Sequence, residues 1–135
     1  MQLQRIKYSD LNARQKEVYN FQKVAALLAD YGFNCLKPSE DWQGADFLAY
    51  HKDGRKTLRV QLKSRLHIAK KYSGRDLHMC FPVHKTWYLV PHDDLVRALG
   101  RRTTFLQSES WLGGGAYSSV KPNQKMLEWL KRFAF

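Results

Sequence analysis

Cysteine is scarce, acids are outnumbered and long apolar runs are missing, and each shortage removes a class of protein. The two cysteines, Cys35 and Cys80, are too few and too far apart for a disulfide framework or a thiolate zinc site. Both read as buried thiols of a reducing compartment. No apolar stretch approaches the ~18 residues that would span a bilayer, so no membrane segment is expected. The opening residues, MQLQRIKYSDL, lack the apolar stretch of a signal peptide, and a cytoplasmic location is the expectation. No internal repeat or linker-like tract appears, so residues 1–135 read as one domain, long enough to bury a core unaided. Gly113-Gly114-Gly115 is the one glycine run. It lacks the Lys-Ser/Thr and the strand-to-helix context of a phosphate-binding loop, which excludes a nucleotide site there.

What is present in excess is positive charge. Lys and Arg number 23 against 12 Asp and Glu, a formal net charge of +11. A pI near 9.8 in a small chain points to a polyanionic partner, nucleic acid ahead of an anionic membrane. The excess is concentrated: between Lys52 and Arg75 the sole acid is Asp53, amid a run of basic residues that includes Lys63, Arg65, Lys70, Lys71 and Arg75. Scattered basic residues are usually a solvated face; a one-sign cluster favours phosphate contact.

That cluster surrounds ADFLAYHKDGRKTLRVQLK, residues 45 to 63, which read as two strands and a turn. Phe47 and Ala49 alternate on one flank, Leu58, Val60 and Leu62 on the other, and Asp53-Gly54 between them predicts a two-residue type I′ hairpin. Lys52 then faces Arg55, and Asp46 falls opposite Gln61. Lys63 shares the face of Gln61 because side chains alternate with period two. A four-residue loop would keep this register, whereas a three-residue loop would break it. The apolar face should pack into the core, leaving a carboxylate, an amide and an ammonium at one edge of the polar face.

Around the hairpin the chain reads in order. Ser9, Asp10 and Asn12 are alternative N-caps for a helix from Leu11 to about Tyr31, with Gly32 as its C-cap candidate. Val18, Phe21, Val24, Ala25, Leu28 and Tyr31 recur at helical spacing, and Glu17 starts the stripe that continues through Phe21, Val24, Leu28 and Tyr31. Phe33 to Leu36 reads as a short strand and Pro38 to Gln43 as a polar loop. Trp42 reads as a lid, a stacking residue or a core-edge side chain. Ser64 to Asp76 is expected to be loop with one helical turn at most. Leu77 to Phe81 and Thr86 to Val90 read as strands, Pro91 starts a short helix through about Leu99, and Arg101 to Gln107 is an edge-strand candidate. Ser108 to Ser119 reads as loop and Pro122 to Phe133 as an amphipathic helix. The fold class is α/β, a mixed sheet of about five strands flanked by the first and last helices.

Gly44-Ala45-Asp46-Phe47-Leu48 followed by Val60-Gln61-Leu62-Lys63 resembles the PD-(D/E)xK nuclease superfamily, with Gln61 replacing the second acid. Phe21 to Pro38 resembles the helix and first strand that precede this motif in Holliday-junction-resolvase-like and intron-associated members. The likeness covers residues 11 to 91 and implies a restriction-endonuclease-like fold. It departs from the family at Ser64 to Asp76, where a helix often crosses.

The resemblance implies a Mg²⁺- or Mn²⁺-dependent endodeoxyribonuclease. Asp46 would anchor the ion, Gln61 would add an amide oxygen and Leu62 its backbone carbonyl. Glu17 is the candidate for the helix acid, although family landmarks set that acid near Phe21 or Gln22; a solvated first-turn acid is the alternative. Lys63 would orient the attacking water or stabilise phosphate charge. Arg65, Lys70, Lys71 and Arg75 would contact phosphates of DNA, branched or structured forms included, and a homodimer is the implied working state. The glutamine removes one formal charge and should weaken ion binding. Two other readings stand beside this one: a non-catalytic nucleic-acid-binding module on the same fold, and an interaction protein for an acidic partner. His51, His67, His78, His84 and His92 show no ligand spacing, and of these His67 lies near enough to the motif to touch substrate.

Overall fold

The computed structural model describes residues 1–40 and 43–135; Trp42 lies outside the described residues. Of the three cap candidates, Asn12 starts the first helix, α1 (Ala13–Ala29). Its side chain accepts the Gln15 N–H at 2.9 Å while Gln15 Oε1 accepts the Asn12 N–H, a reciprocal capping box. Tyr8–Asp10 forms a 3-10 turn before it. Gly32 follows the helix at φ +86°, where a side chain would be strained.

Five strands make the main sheet: β1 (Phe33–Leu36), β2 (Phe47–His51), β3 (Thr57–Leu62), β5 (Leu77–Val83) and β6 (Thr86–Pro91), in the order β1-β2-β3-β5-β6. The sheet is mixed, because β3 and β5 run parallel and the other neighbours antiparallel. A parallel pair needs a crossover, and the chain between Leu62 and Leu77 supplies it. That crossover is more structured than its polar composition suggests. It contains β4 (Leu66–Ala69) and a 3-10 turn, Lys70–Tyr72, where a loop is expected from sequence. β4 pairs antiparallel with β7 (Ala116–Ser119) in a second, two-stranded sheet.

The hairpin register matches the alternation, with Phe47 opposite Val60 and Tyr50 opposite Thr57. Its turn is different from the expected I′. The His51 N–H reaches Lys56 O at 2.9 Å, so Lys52 to Arg55 form a four-residue loop and are not a ladder pair. Gly54 alone in that loop takes a positive φ, +71°, and Asp53 instead accepts the Arg55 N–H at 2.8 Å. The longer loop preserves the register because it adds one residue to each side.

After β6 the chain forms α2 (His92–Arg102), α3 (Glu109–Leu112) and α4 (Gln124–Leu130). Helix α2 extends past Leu99, with Asp93 and Asp94 in its first turn and Arg101 and Arg102 in its last, all favourable to the helix dipole. The edge strand expected over Arg101 to Gln107 does not form: the arginines finish α2 and Phe105–Gln107 is a 3-10 turn that buries Phe105 against Trp111. Ser108 to Ser119 is likewise not loop, since Ser108 caps α3 and β7 follows. The last helix ends sooner than expected, at Leu130, and a 3-10 turn continues it through Phe133.

Neighbouring residues Met79 and Cys80 of β5 point to opposite faces of the sheet and into separate cores. On one side Val24 and Leu28 of α1 cover Phe47, Ala49, Val60 and Cys80. On the other, Met79, Phe81 and Val90 pack with Leu66, Ile68, Leu95, Leu99, Met126 and Leu130. Two members of the expected α1 stripe stay outside: Val18 is 44% exposed and Tyr31 56%. Val18 faces an outer hollow with Leu11 and Tyr19, and Tyr31 lies beyond the helix end. Cys35 is half-buried where a buried thiol is expected; burial pushes its thiol up to about 11. Among the described residues, no helix is long and apolar enough to cross a membrane.

Candidate active site

The site begins with two residues in the left-handed region, Gln43 at φ +53° and Gly44 at +86°. A Cβ on Gly44 would lie 3.3 Å from Leu77 Cδ1, so glycine lets the chain pass close to β5. Alternation then fails for one step: Ala45 packs with Tyr72 and Leu77, whereas Phe47, two residues on, packs on the α1 side. Asp46 occupies this local bulge. Its N–H donates to Val60 O at 2.8 Å, and its Oδ2 accepts the Leu62 N–H at 2.8 Å. The carboxylate thereby takes over from the ladder, whose last regular pair is Phe47 and Val60. Asp46 bonds to the backbone next to Gln61, where simple extension of the ladder would set it squarely opposite.

Gln61 is 8% exposed, and its Nε2 donates to the Gly44 carbonyl. With the amide nitrogen committed, the oxygen is the end of the side chain left to accept. Lys63 anchors its backbone N–H on Cys80 O at 2.8 Å and holds its ammonium 5.9 Å from the centre of the Tyr72 ring. Glu17 is exposed on α1 and faces these residues across a groove of about 400 Å³. The structure therefore brings Glu17, Asp46, Gln61, Leu62 and Lys63 to one concavity. Burial raises the Asp46 carboxyl above the ordinary carboxylate range; the Leu62 N–H, Lys63 and Lys37 pull it back, and Glu17 adds to the rise.

No family model and no curated protein matches the chain. A solved structure does. The chain is similar in fold to a bacterial homing endonuclease, I-Ssp6803I. The TM-score is 0.52 at 18% identity, over 84% of this chain and 78% of that one. The likeness is therefore one of fold.

Beyond Gln61, which it shares with the groove, lies a second hollow of about 230 Å³ lined by Lys71, Tyr72 and Arg75. The Lys71 ammonium sits 5.2 Å from the Tyr72 ring centre. Lys70 points elsewhere, over Trp111 at 5.3 Å, with its N–H on Gly115 O. Arg65 is exposed just before β4 and lines neither hollow. The four expected phosphate contacts thus split, two beside the site and two outside it.

Sequence reasoning missed Tyr8, Lys16, Asn20 and Lys37, which line the groove as well. Lys16 and Asn20 stand four apart beside Glu17, a spacing that shares a helix face. Lys37 has no local signal. Of the histidines, His67 on β4 is pushed down to about 4 by burial and by Lys63 and Lys71, so it is neutral at physiological pH. His92 is structural: Nε2 accepts the Ala69 N–H at 3.2 Å, leaving Nδ1 to donate to Asp93 Oδ1 at 3.1 Å. Asp93 also accepts the Gly74 N–H, so this pair ties the stretch that carries Lys70 and Lys71 to α2 on either side.

Proposed function

We propose that the chain is a Mg²⁺- or Mn²⁺-dependent DNA endonuclease of the PD-(D/E)xK superfamily, with Gln61 at the second acidic position. The observation that carries this reading is the meeting of Asp46, Gln61 and Lys63 with Glu17 in one groove. The shared fold with a homing endonuclease and the +11 charge support it. The donor set suits a hard cation: Asp46 Oδ1, the Gln61 amide oxygen and a Glu17 carboxylate, with the Leu62 carbonyl as a further oxygen. Burial that raises the Asp46 carboxyl is also what a dication would offset. When bound, such an ion supplies Lewis acidity toward the phosphate and acidifies water.

The remaining work falls to the side chains. The Leu62 N–H fixes the Asp46 carboxylate, and the Gly44 carbonyl fixes the Gln61 amide, so neither donor has to reorganise. Lys63, seated on Tyr72, holds a phosphate oxygen or the attacking water. Lys71 and Arg75 take phosphates next to the site, with Arg65 and Lys70 as outer contacts. A homodimer would offer one such site to each strand of a duplex; branched or structured DNA is included among the substrates. A cytoplasmic setting goes with the free thiols Cys35 and Cys80.

One observation favours a non-catalytic nucleic-acid-binding module instead. Among the described residues, no group of three or more His, Cys, Asp or Glu could hold a metal ion. Titrating Mg²⁺ and Mn²⁺ against supercoiled, branched and single-stranded DNA separates the readings. Metal-dependent cleavage lost in Asp46→Asn and Lys63→Ala supports the endonuclease. Salt-sensitive binding with no cleavage under either ion supports the module and sinks the enzyme.

A further inference from the structure

Two lysines in the groove have no part in the motif, and both are held in place by aromatic rings. Lys16 of α1 sets its ammonium 5.3 Å from the Tyr8 ring centre, and Lys37, just after β1, sets its own 5.4 Å from that of Phe21. Tyr8 is itself fixed, because its hydroxyl accepts from Asn20 Nδ2 at 2.9 Å. Lys71 rests on Tyr72 in the same manner in the second hollow, and Lys63, which lines the groove, sits over the same ring. An ammonium restrained over a ring keeps its charge facing solvent and loses less freedom when it meets an anion. None of Lys16, Lys37 and Lys71 has a carboxylate within ion-pair distance among the described residues. Gln61 lines both hollows, so the seated Lys16 and Lys37 lie in the hollow on one side of it and Lys71 in the hollow on the other.

We propose that Lys16 and Lys37 seat the phosphates on one side of the candidate ion site while Lys71 and Arg75 seat those on the other, so that a nucleic-acid strand passes through the site. This rests on the endonuclease reading for its chemistry and on charge and geometry alone for its binding. A strand that crosses from one hollow to the other over Gln61 needs no free terminus to enter.

Binding of the full chain to a short DNA duplex in EDTA, followed across a salt series, tests the track without cleavage. For Lys16→Gln/Lys37→Gln the slope of log K against log salt should fall by about 0.9 for each phosphate that is no longer neutralised. Affinity at low salt should drop at least about tenfold, and Lys16→Arg/Lys37→Arg should restore both. Lys121→Gln/Lys125→Gln, away from the track, should leave the slope nearly unchanged. An unchanged slope in the first variant, or an equal fall in the control, overturns the proposal. With Mg²⁺ present, closed circular DNA should be cut as readily as linear DNA; cutting confined to linear ends overturns it too. Absence of cleavage on both forms counts against the endonuclease alone, and the salt series still decides the track.

Discussion

The two faces of the sheet are unequal. Behind it, three helices and the small β4–β7 sheet bury Met79, Phe81, Leu95, Leu99, Met126 and Leu130. In front, one helix does the covering, and it touches the sheet through Phe21, Val24 and Leu28 before its first turns lift over the groove. The back is a scaffold, and the polar groups meet where the two faces join at the end of the sheet: Asp46 and Glu17 in the α1 groove, Gln61 from the β3 position paired with Met79, and Lys63 over Tyr72 of the rear core. A sheet anchored from behind can keep a raised carboxylate and a row of lysines at its end, because the cost is met by packing elsewhere.

Cleavage gives the largest expected contrast. Asp46→Asn should lower the rate by at least about a hundredfold, the scale of removing a preorganised electrostatic interaction. Rates on supercoiled DNA under saturating metal check this. Phe81→Ala, behind the sheet, should instead cost about 3–5 kcal/mol of stability, measured by urea denaturation. The like-for-like pair is Leu95→Ala at the back and Leu28→Ala at the front, both fully enclosed. Within the range of about 2–5 kcal/mol for such truncations, Leu95 should lie near the top and Leu28 near the bottom, since a single helix can settle onto the sheet. Equal losses would erase the contrast between the faces.

Smaller effects sharpen it. Asn12→Ala should cost about 1 kcal/mol by opening the capping box of α1, seen as a lower urea midpoint. Asp46→Asn should leave the midpoint at neutral pH unchanged or higher. The sign follows from the raised carboxyl: the folded state holds that proton more tightly than the unfolded state, so this group's contribution is most favourable at low pH. It weakens as pH rises from the ordinary carboxylate value through the raised one and then stays constant. The wild type minus Asp46→Asn difference across pH 3 to 8, near the ordinary carboxylate value of about 3.9 at its lower end, should show that fall. A difference that grows with pH would mean the groove stabilises the charge.

What the sequence makes legible divides along the same line. The β2–β3 register follows from Phe47, Ala49, Leu58 and Val60, because a one-residue slip would expose all of them. Glu17 is legible as the groove-side end of a helical stripe. The bulge at Asp46 is not, since it depends on Gln43 taking a left-handed backbone that a glutamine does not announce. The β4–β7 pairing is hidden as well: His67 pairs with Ser118 and Ile68 with Tyr117 across a separation in the chain that holds β5, β6, α2 and α3. Lys37 and Lys70 differ for a similar reason. Both sit in polar segments, and only the fold sends one to the groove and the other to Trp111.

The most direct measurement is nicking of supercoiled DNA by the purified chain, with and without Mg²⁺ or Mn²⁺, alongside Asp46→Asn. The expected result is strand cleavage that needs the metal, vanishes in the variant and leaves DNA binding intact. Metal-independent cleavage, or cleavage that Asp46→Asn retains, would contradict the assignment of this groove as the catalytic centre.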